Sequence, residues 1–491
     1  MAGIGFELRK IYRKEGIARG TVGLVYSTMV TIGPMILVMV TILSLYFFLG
    51  IKNVSYAERE LLFSTVLYIF IFSMIFTSPI NVVFSRYVAD KFFKEEYDGI
   101  LDSYYMGVLI CTILASLVAL PIGWSLRVRG GISFEYIFLA YALWISVIIL
   151  YFSITYLHAT KDYKMITLFF VVGMLIGFLS AIALYKVAEH NIIYSVLSGL
   201  AIAFFMISVL VFAYIRQYFP VTKGEYKECL SYFWSAKKVL FANLFYTLGL
   251  YCHNFIFWQI DGRTVVAQTF NSNQAYDLAA CLAMFTNVFV MVSFTVVAET
   301  RFHEVYKDFM ESVLGNTYKI ISKNRRKLFR TLTQQIGQIF ATQMAITSII
   351  FILISSYGVL LGIEDVTLSI YPVLTVAFLG IFIMNGNLVY LYYFDDSTGA
   401  VITGGIFFLT TLAGSMWSRT LSTNGWGAGV FLGMIAGLTF SYFRIRWLER
   451  NLDEFIFCGY EVVNTTTSQN PRVNVVYRKA KQEEVNEKEN R

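Results

Sequence analysis

The chain has 491 residues, of which 57% are hydrophobic and only 14% charged. A water-soluble domain carries about 25% charged residues, so this composition cannot cover a surface that faces water on all sides. The net charge of +7 is no nucleic-acid footprint either, because the basic residues are strung between apolar runs instead of forming one patch.

In chain order, residues 1–20 come first. They set Ile4, Phe6, Leu8, Ile11 and Tyr12 among Arg9, Lys10, Arg13 and Lys14, the pattern of an amphipathic helix on the inner leaflet. A disordered basic leader is the alternative. Twelve long apolar runs follow, each near the roughly 20 residues that cross about 30 Å of hydrocarbon. Six of them fall at 21–48, 62–88, 103–125, 136–157, 165–185 and 192–215, and six at 239–260, 276–298, 336–360, 368–394, 398–417 and 426–444. The predicted fold is an all-α polytopic membrane protein: one six-helix lobe at 21–215, a linker at 216–238, a second lobe at 239–444 and a cytoplasmic tail at 445–491. The last dozen residues of the tail, AKQEEVNEKENR, are expected to be disordered. The runs are continuous, whereas a membrane barrel alternates polar and apolar residues. The first run is too long for a secretory h-region and no small-residue cleavage pattern ends it, so it is expected to be retained as a span.

Alternate connections collect the basic residues. With the N-terminus inside, the inner segments hold 32 of the 39 Lys and Arg and the outer ones 7. This bias predicts that both termini are cytoplasmic. The halves also read as repeats. Span 2 ends in Ser85-Arg86-Tyr87 and span 8 in Thr300-Arg301-Phe302, each followed by a charged amphipathic stretch. Six helices per half insert both halves the same way up, as in parallel-repeat transporters.

Enzyme motifs are missing. There is no G-x-x-x-x-G-K-[ST], no H-E-x-x-H, and His158, His190, His253 and His303 are not spaced as metal ligands. No cofactor or metal is expected. The cysteines (Cys111, Cys229, Cys252, Cys281, Cys458) read as small buried apolar residues, and Asp395-Asp396 as a solvated helix cap. Gly425, Gly429, Gly433 and Gly437 on span 12, and Gly173, Gly177 and Ala181 on span 5, recur every four residues, which lets helices approach closely. Pro34, Pro79, Pro121 and Pro372 fall inside spans. Gly33-Pro34 is the hinge candidate, with a static kink as the alternative.

Polar residues inside spans are costly against lipid and face the bundle or a cavity. Span 7 is richest, with Asn243, Tyr246, Thr247, His253, Asn254 and Gln259; span 8 adds Asp277 and Asn287, and span 10 adds Asn385 and Asn387. Spans 7, 8 and 10 are therefore expected to line a polar substrate path; interhelical hydrogen bonding without a substrate is the competing reading. Arg19, Arg86, Lys161, Lys237, Lys238 and Arg301 ring the predicted cytoplasmic mouth, for docking an acidic partner or for setting topology alone.

The opening GIGFELRK, the TIGPM turn within span 1 and the twelve-span, two-lobe plan resemble the PelG family, the membrane subunit of Pel exopolysaccharide systems within the wider group of polysaccharide, drug and lipid-intermediate flippases. The resemblance runs from residue 2 to about 460. It implies export of an amino-sugar polymer across the cytoplasmic membrane, beside a PelF-like soluble glycosyltransferase and PelD- and PelE-like membrane proteins. Two alternatives of different kind are a cation-coupled multidrug or lipid-linked oligosaccharide flippase and a non-transporting scaffold for a polysaccharide synthase.

Overall fold

In hydrocarbon every backbone polar group must find its partner within the protein, and an apolar run does this by winding into a helix. The computed structural model describes residue 33 and residues 36–160, 163–224, 226–297, 302–360 and 362–457. Among the described residues, eleven helices are long and apolar enough to cross a membrane, and Ile36–Phe48 belongs to the first predicted run. The first lobe holds α1 (Ile36–Phe48), α2 (Tyr56–Phe93), α3 (Ile100–Val128), α4 (Phe134–Thr160), α5 (Tyr163–Lys186) and α6 (Ile192–Tyr218). A short α7 (Tyr226–Ser235) leads to the second lobe: α8 (Lys237–Phe257), strands β1 (Thr264–Val266) and β2 (Phe270–Ser272), α9 (Gln274–Val297), α10 (His303–Gly315), α11 (Tyr318–Tyr357), α12 (Asp365–Tyr393), α13 (Ser397–Ser418) and α14 (Ala428–Phe457). Residues 1–20, the tail beyond 457, Pro34 and Cys458 lie outside the described residues.

Helices overrun the apolar runs that predict them because polar caps sit beyond the hydrocarbon. Ser55 caps α2, accepting from the Glu58 N–H at 3.4 Å while its hydroxyl donates to the Glu58 carboxylate at 2.8 Å, a reciprocal cap. Asn191 caps α6 through the Ile193 N–H at 2.9 Å and reaches Glu58 with its amide.

Each lobe has its own core. In the first, α4 is the hub: Leu143, Val147, Ile148, Phe152 and Tyr156 are fully buried and α4 packs on α2, α3, α5 and α6. In the second, α12 takes that place with Ile370, Leu374, Phe378, Ile381 and Met384, packing on α9, α11, α13 and α14. Spans 4 and 10 are thus equivalent, and span pairs 2–3, 2–4, 3–4, 4–5, 4–6 and 5–6 recur as 8–9, 8–10, 9–10, 10–11, 10–12 and 11–12. The faint repeat in sequence recurs in the packing of spans 2–6 and 8–12.

The small-residue rows mark helix crossings. Gly173 and Gly177 face Ile207 and Ala203 of α6, and Gly429, Gly433 and Gly437 face Gly414, Thr411 and Phe407 of α13. Gly425 departs from its expected place: it closes a 3-10 turn, Thr423–Gly425, ahead of α14 and faces Leu421 of the same loop. At Gly429 an added Cβ would lie 2.3 Å from the Ser415 nitrogen, a backbone atom that cannot swing aside. Gly429→Leu is therefore expected to cost more than the 1–3 kcal/mol or so of an ordinary overpacked core. Gly337→Ala, with nothing within 4 Å of the added Cβ, is expected to stabilise the helix by about 0.5–1 kcal/mol. Thermal unfolding in detergent checks both.

Three elements depart from a plain twelve-span reading. The linker contains α7, which docks on the first lobe through Cys229 Sγ to the Tyr87 hydroxyl at 3.6 Å, Tyr232 to Asp90 at 2.6 Å and Glu228 to Lys91 at 3.0 Å. Burial pushes the Cys229 thiol above its ordinary pKa. The 261–275 connection folds an antiparallel hairpin pairing Thr264 with Ser272 and Val266 with Phe270. The basic 299–335 segment supplies α10 and the start of α11. Cys111, Cys229 and Cys252 are buried as expected, whereas Cys281 is exposed, on a helix whose outward face an apolar thiol suits as well as a core.

Candidate functional site: the seam between the lobes

Among the described residues, the two lobes meet chiefly where α2 lies along α8. Inner and outer ends are named here by the basic-residue bias. At the outer end Tyr68 of α2 stacks on Trp258 with centroids 4.5 Å apart and planes 13° from parallel. Its hydroxyl donates to the Asn271 carbonyl at 2.8 Å and accepts from the Asn271 N–H at 3.1 Å. The hairpin thus lies against α2, with Ser125 and Thr269 bonded at 2.9 Å beside it and Glu60 accepting from Gln274. Trp258 is held in turn by Asp277: its indole N–H sits 2.9 Å from both carboxylate oxygens, Asn254 donates to the same carboxylate at 2.8 Å, and the Asn273 N–H at 3.2 Å.

Midway, Phe72 stacks on Phe255 at 5.5 Å. Below it Asn243 donates to the Ser78 carbonyl at 2.7 Å and hydroxyl at 3.0 Å, and Thr247 lies 3.4 Å from the same hydroxyl. At the inner end Arg86 of α2 forms an ion pair with Asp395 in the turn between α12 and α13. Its neighbour Asp396 caps α13 through the Gly399 N–H at 2.9 Å and binds Arg444 at 2.5 Å. The pair read as a solvated cap therefore divides its roles. Asp396 does cap, but it is buried, and Asp395 ties one lobe to the other.

Seven of the ten predicted path residues separate into two groups. Asn243, Thr247, Asn254 and Asp277 lie at or directly behind the seam. His253, Asn287 and Asn387 are tied inside the second lobe: His253 Nδ1 to the Tyr276 hydroxyl at 3.0 Å, Asn287 to the Ala283 and Thr375 carbonyls at 2.9 Å, and Asn387 to Ser441 at 2.9 Å. Tyr246 is buried against Phe407, Asn385 is half-buried, and Gln259 is exposed just past the end of α8. Gly33 is helical and half-buried. Of the mouth cations, Arg86 is engaged as above, Lys237 is exposed, and Lys238 reaches Thr398 at 3.0 Å; Arg19, Lys161 and Arg301 lie outside the described residues. Ser78, Tyr68, Glu60 and Asp395 are seam residues that the emphasis on amide side chains passed over. Span 2 nonetheless carries Ser73, Thr77, Ser78 and Asn81 within its apolar run, a signal as dense as that of span 7.

One crevice of about 410 Å³ opens between α2, α3 and α4 and reaches the outer seam, lined by Tyr68, Leu120, Trp124, Phe138, Trp144 and Phe270 of the hairpin. It is too apolar to hold a sugar by its hydroxyls. Among the described residues no cluster of His, Cys, Asp or Glu could hold a metal ion.

Two six-helix lobes with matching internal packing, meeting along a polar seam, give a multi-pass membrane protein with the fold of the solved MOP-superfamily and MATE transporters. A MOP superfamily transporter from Pyrococcus furiosus Vc1, described as having reversed binding-pocket polarity, superposes with TM-score 0.64 at 13% identity over 92% of this chain and 99% of that one. A MATE transporter in complex with MaL6 gives 0.61 at 14% identity, over 92% and 100%. An outward-facing multidrug resistance MATE transporter gives 0.58 at 12%, over 91% and 98%. No curated protein matches the sequence. Residues 1–457 match the family model PelG, described as "Putative exopolysaccharide Exporter (EPS-E)". The chain belongs to the PelG family, and family and fold together point to a transporter rather than an enzyme.

Proposed function

We propose that the chain carries an amino-sugar exopolysaccharide across the cytoplasmic membrane, working beside a cytosolic PelF-like glycosyltransferase and PelD- and PelE-like membrane proteins. The observation that carries this reading is the seam. It joins two independently packed lobes by a few polar and aromatic contacts arranged in separate outer, middle and inner sets, so each set can part while the lobes stay rigid. Rocking of one lobe on the other would open the route to each side in turn. A conduit held open while synthesis pushes the polymer needs no ion gradient.

The test is reconstitution of the purified chain in vesicles with the glycosyltransferase and nucleotide sugars. Polymer protected inside the vesicles is the expected result. Active synthesis with no protected polymer would leave only a scaffold role. One observation favours a second reading, cation-coupled export: the half-buried Asp277 carboxylate holds the outer aromatic contact, so a cation bound there would loosen it. Under that reading collapsing the ion gradients stops export while synthesis continues; under the conduit mode export persists.

A further inference from the structure

Helix α11 is too long for the membrane it enters. Its 40 residues extend about 60 Å at 1.5 Å per residue. Past Tyr318 and Ile320 at its very start, its exposed apolar side chains (Phe340, Met344, Ile349, Ile352, Leu353, Tyr357) resume at Phe340, and from there to Tyr357 the helix rises about 26 Å, close to the hydrocarbon thickness. The preceding part stands outside. There α10 packs on it, with Asp308 binding Lys327 at 3.1 Å, while Arg325 binds Asp453 of α14 at 2.5 Å.

The basic residues left over are not scattered. Lys319, Lys323, Arg326 and Arg330 are all exposed, and at 100° per residue they fall within about 60° of one another. This stripe lies opposite the face that buries Ile321, Leu328, Leu332 and Gln335. None of the four has an acidic partner among the described residues. Tyr318 and Ile320 are exposed at its end. Setting topology requires only that cations be near a span; it does not require them to share a face.

Distance decides what the stripe meets. Along the helix Arg330 stands about 15 Å beyond Phe340 and Lys319 about 31 Å. The headgroup layer is roughly 5–8 Å deep on each side, and screening fades charge over about another 8 Å. Lipid phosphates are therefore within reach of Arg330 alone. A membrane tilt of about 20° shortens these heights by only a few per cent.

We propose that this stripe is a docking surface for an acidic face of a soluble protein, and that its occupant is the polymer-forming glycosyltransferase. The choice of occupant rests on the function proposed above. Four unpaired cations beside an exposed Tyr and Ile match a charged contact with an apolar edge, and electrostatic steering of this kind sets association rate and orientation. Docking there seats the transferase beside α14 and the inner end of the second lobe.

The test places the full chain in phosphatidylcholine nanodiscs and titrates the glycosyltransferase against wild type, against Lys319→Glu/Lys323→Glu/Arg326→Glu/Arg330→Glu and against the matching four-Gln variant. Wild-type binding is expected to weaken as salt rises, the Gln variant to lose about tenfold and the Glu variant more, with thermal unfolding unchanged in all three. Equal transferase binding by wild type and the Glu variant overturns the docking site, as does an effect of the substitutions seen only with phosphatidylglycerol present, which would assign the stripe to lipid. Absence of transferase binding to wild type overturns it too. Vesicle export by wild type, measured in parallel, stands or falls independently and reports on the transport reading itself.

Discussion

Asp395→Asn is expected to lower polymer secretion about tenfold at unchanged membrane levels, and Arg86→Gln to do the same. The double variant is expected to lose little more than either alone. Arg86 and Asp395 lie 309 residues apart in sequence yet close the inner end of the seam, with side chains only 20% and 23% exposed. Breaking a fully buried pair costs roughly 3–5 kcal/mol because a charge is left without its counterpart. Partial exposure reduces that, and about 1.4 kcal/mol already shifts a two-state balance tenfold. Asn is the informative replacement because Asp395 has φ 60, a left-handed conformation that Asn tolerates and most residues do not. The loss then reports the charge, not the turn. The double-mutant cycle isolates the pair from other effects of each substitution. Additive losses, or a cysteine at the inner mouth that labels no faster in Asp395→Asn, would mean that the ion pair does not hold the lobes together.

The helical architecture was legible because hydrophobic length is a local property, readable one run at a time. Eleven predicted runs coincide with long helices, and the short 395–397 connection lies where it was expected. The partnership of Asp395 was not legible, since nothing near it in sequence points to Arg86. Asp396 shows the same limit from the other side: a cap was foreseen, but its burial depends on Arg444 reaching back from α14. The hairpin was missed because TVV and FNS are three-residue strands, too short for any alternation to register. His253, Asn287 and Asn387 show why polarity alone does not mark a route. A polar side chain in a span is equally content with a carbonyl on the next helix, and here each of the three finds a partner inside its own lobe.

Asp277 tests whether the outer contacts of the seam stand on one carboxylate. Asp277→Ala strips the acceptor from three donors at once: the amide of Asn254, the indole of Trp258 and the Asn273 backbone. Asn254 and Trp258 are themselves buried, and each orphaned buried donor costs roughly 1–3 kcal/mol. The cost falls on Trp258, whose ring is the platform for Tyr68 of the other lobe. The expected result is a lower melting temperature together with faster labelling, by an impermeant thiol reagent added outside, of a cysteine placed at Phe255. Asn254→Leu removes one donor and leaves Trp258 bonded to Asp277, so it is expected to spare the aromatic stack and the labelling rate. Asn243→Leu breaks only the bonds to Ser78 midway down the seam. If it secretes normally at normal membrane levels, the polymer does not pass along that face of α8, and the amides of this helix serve to join the lobes. If it blocks secretion while Asn254→Leu does not, the route runs through the middle of the seam, below the aromatic stack that Asp277 supports.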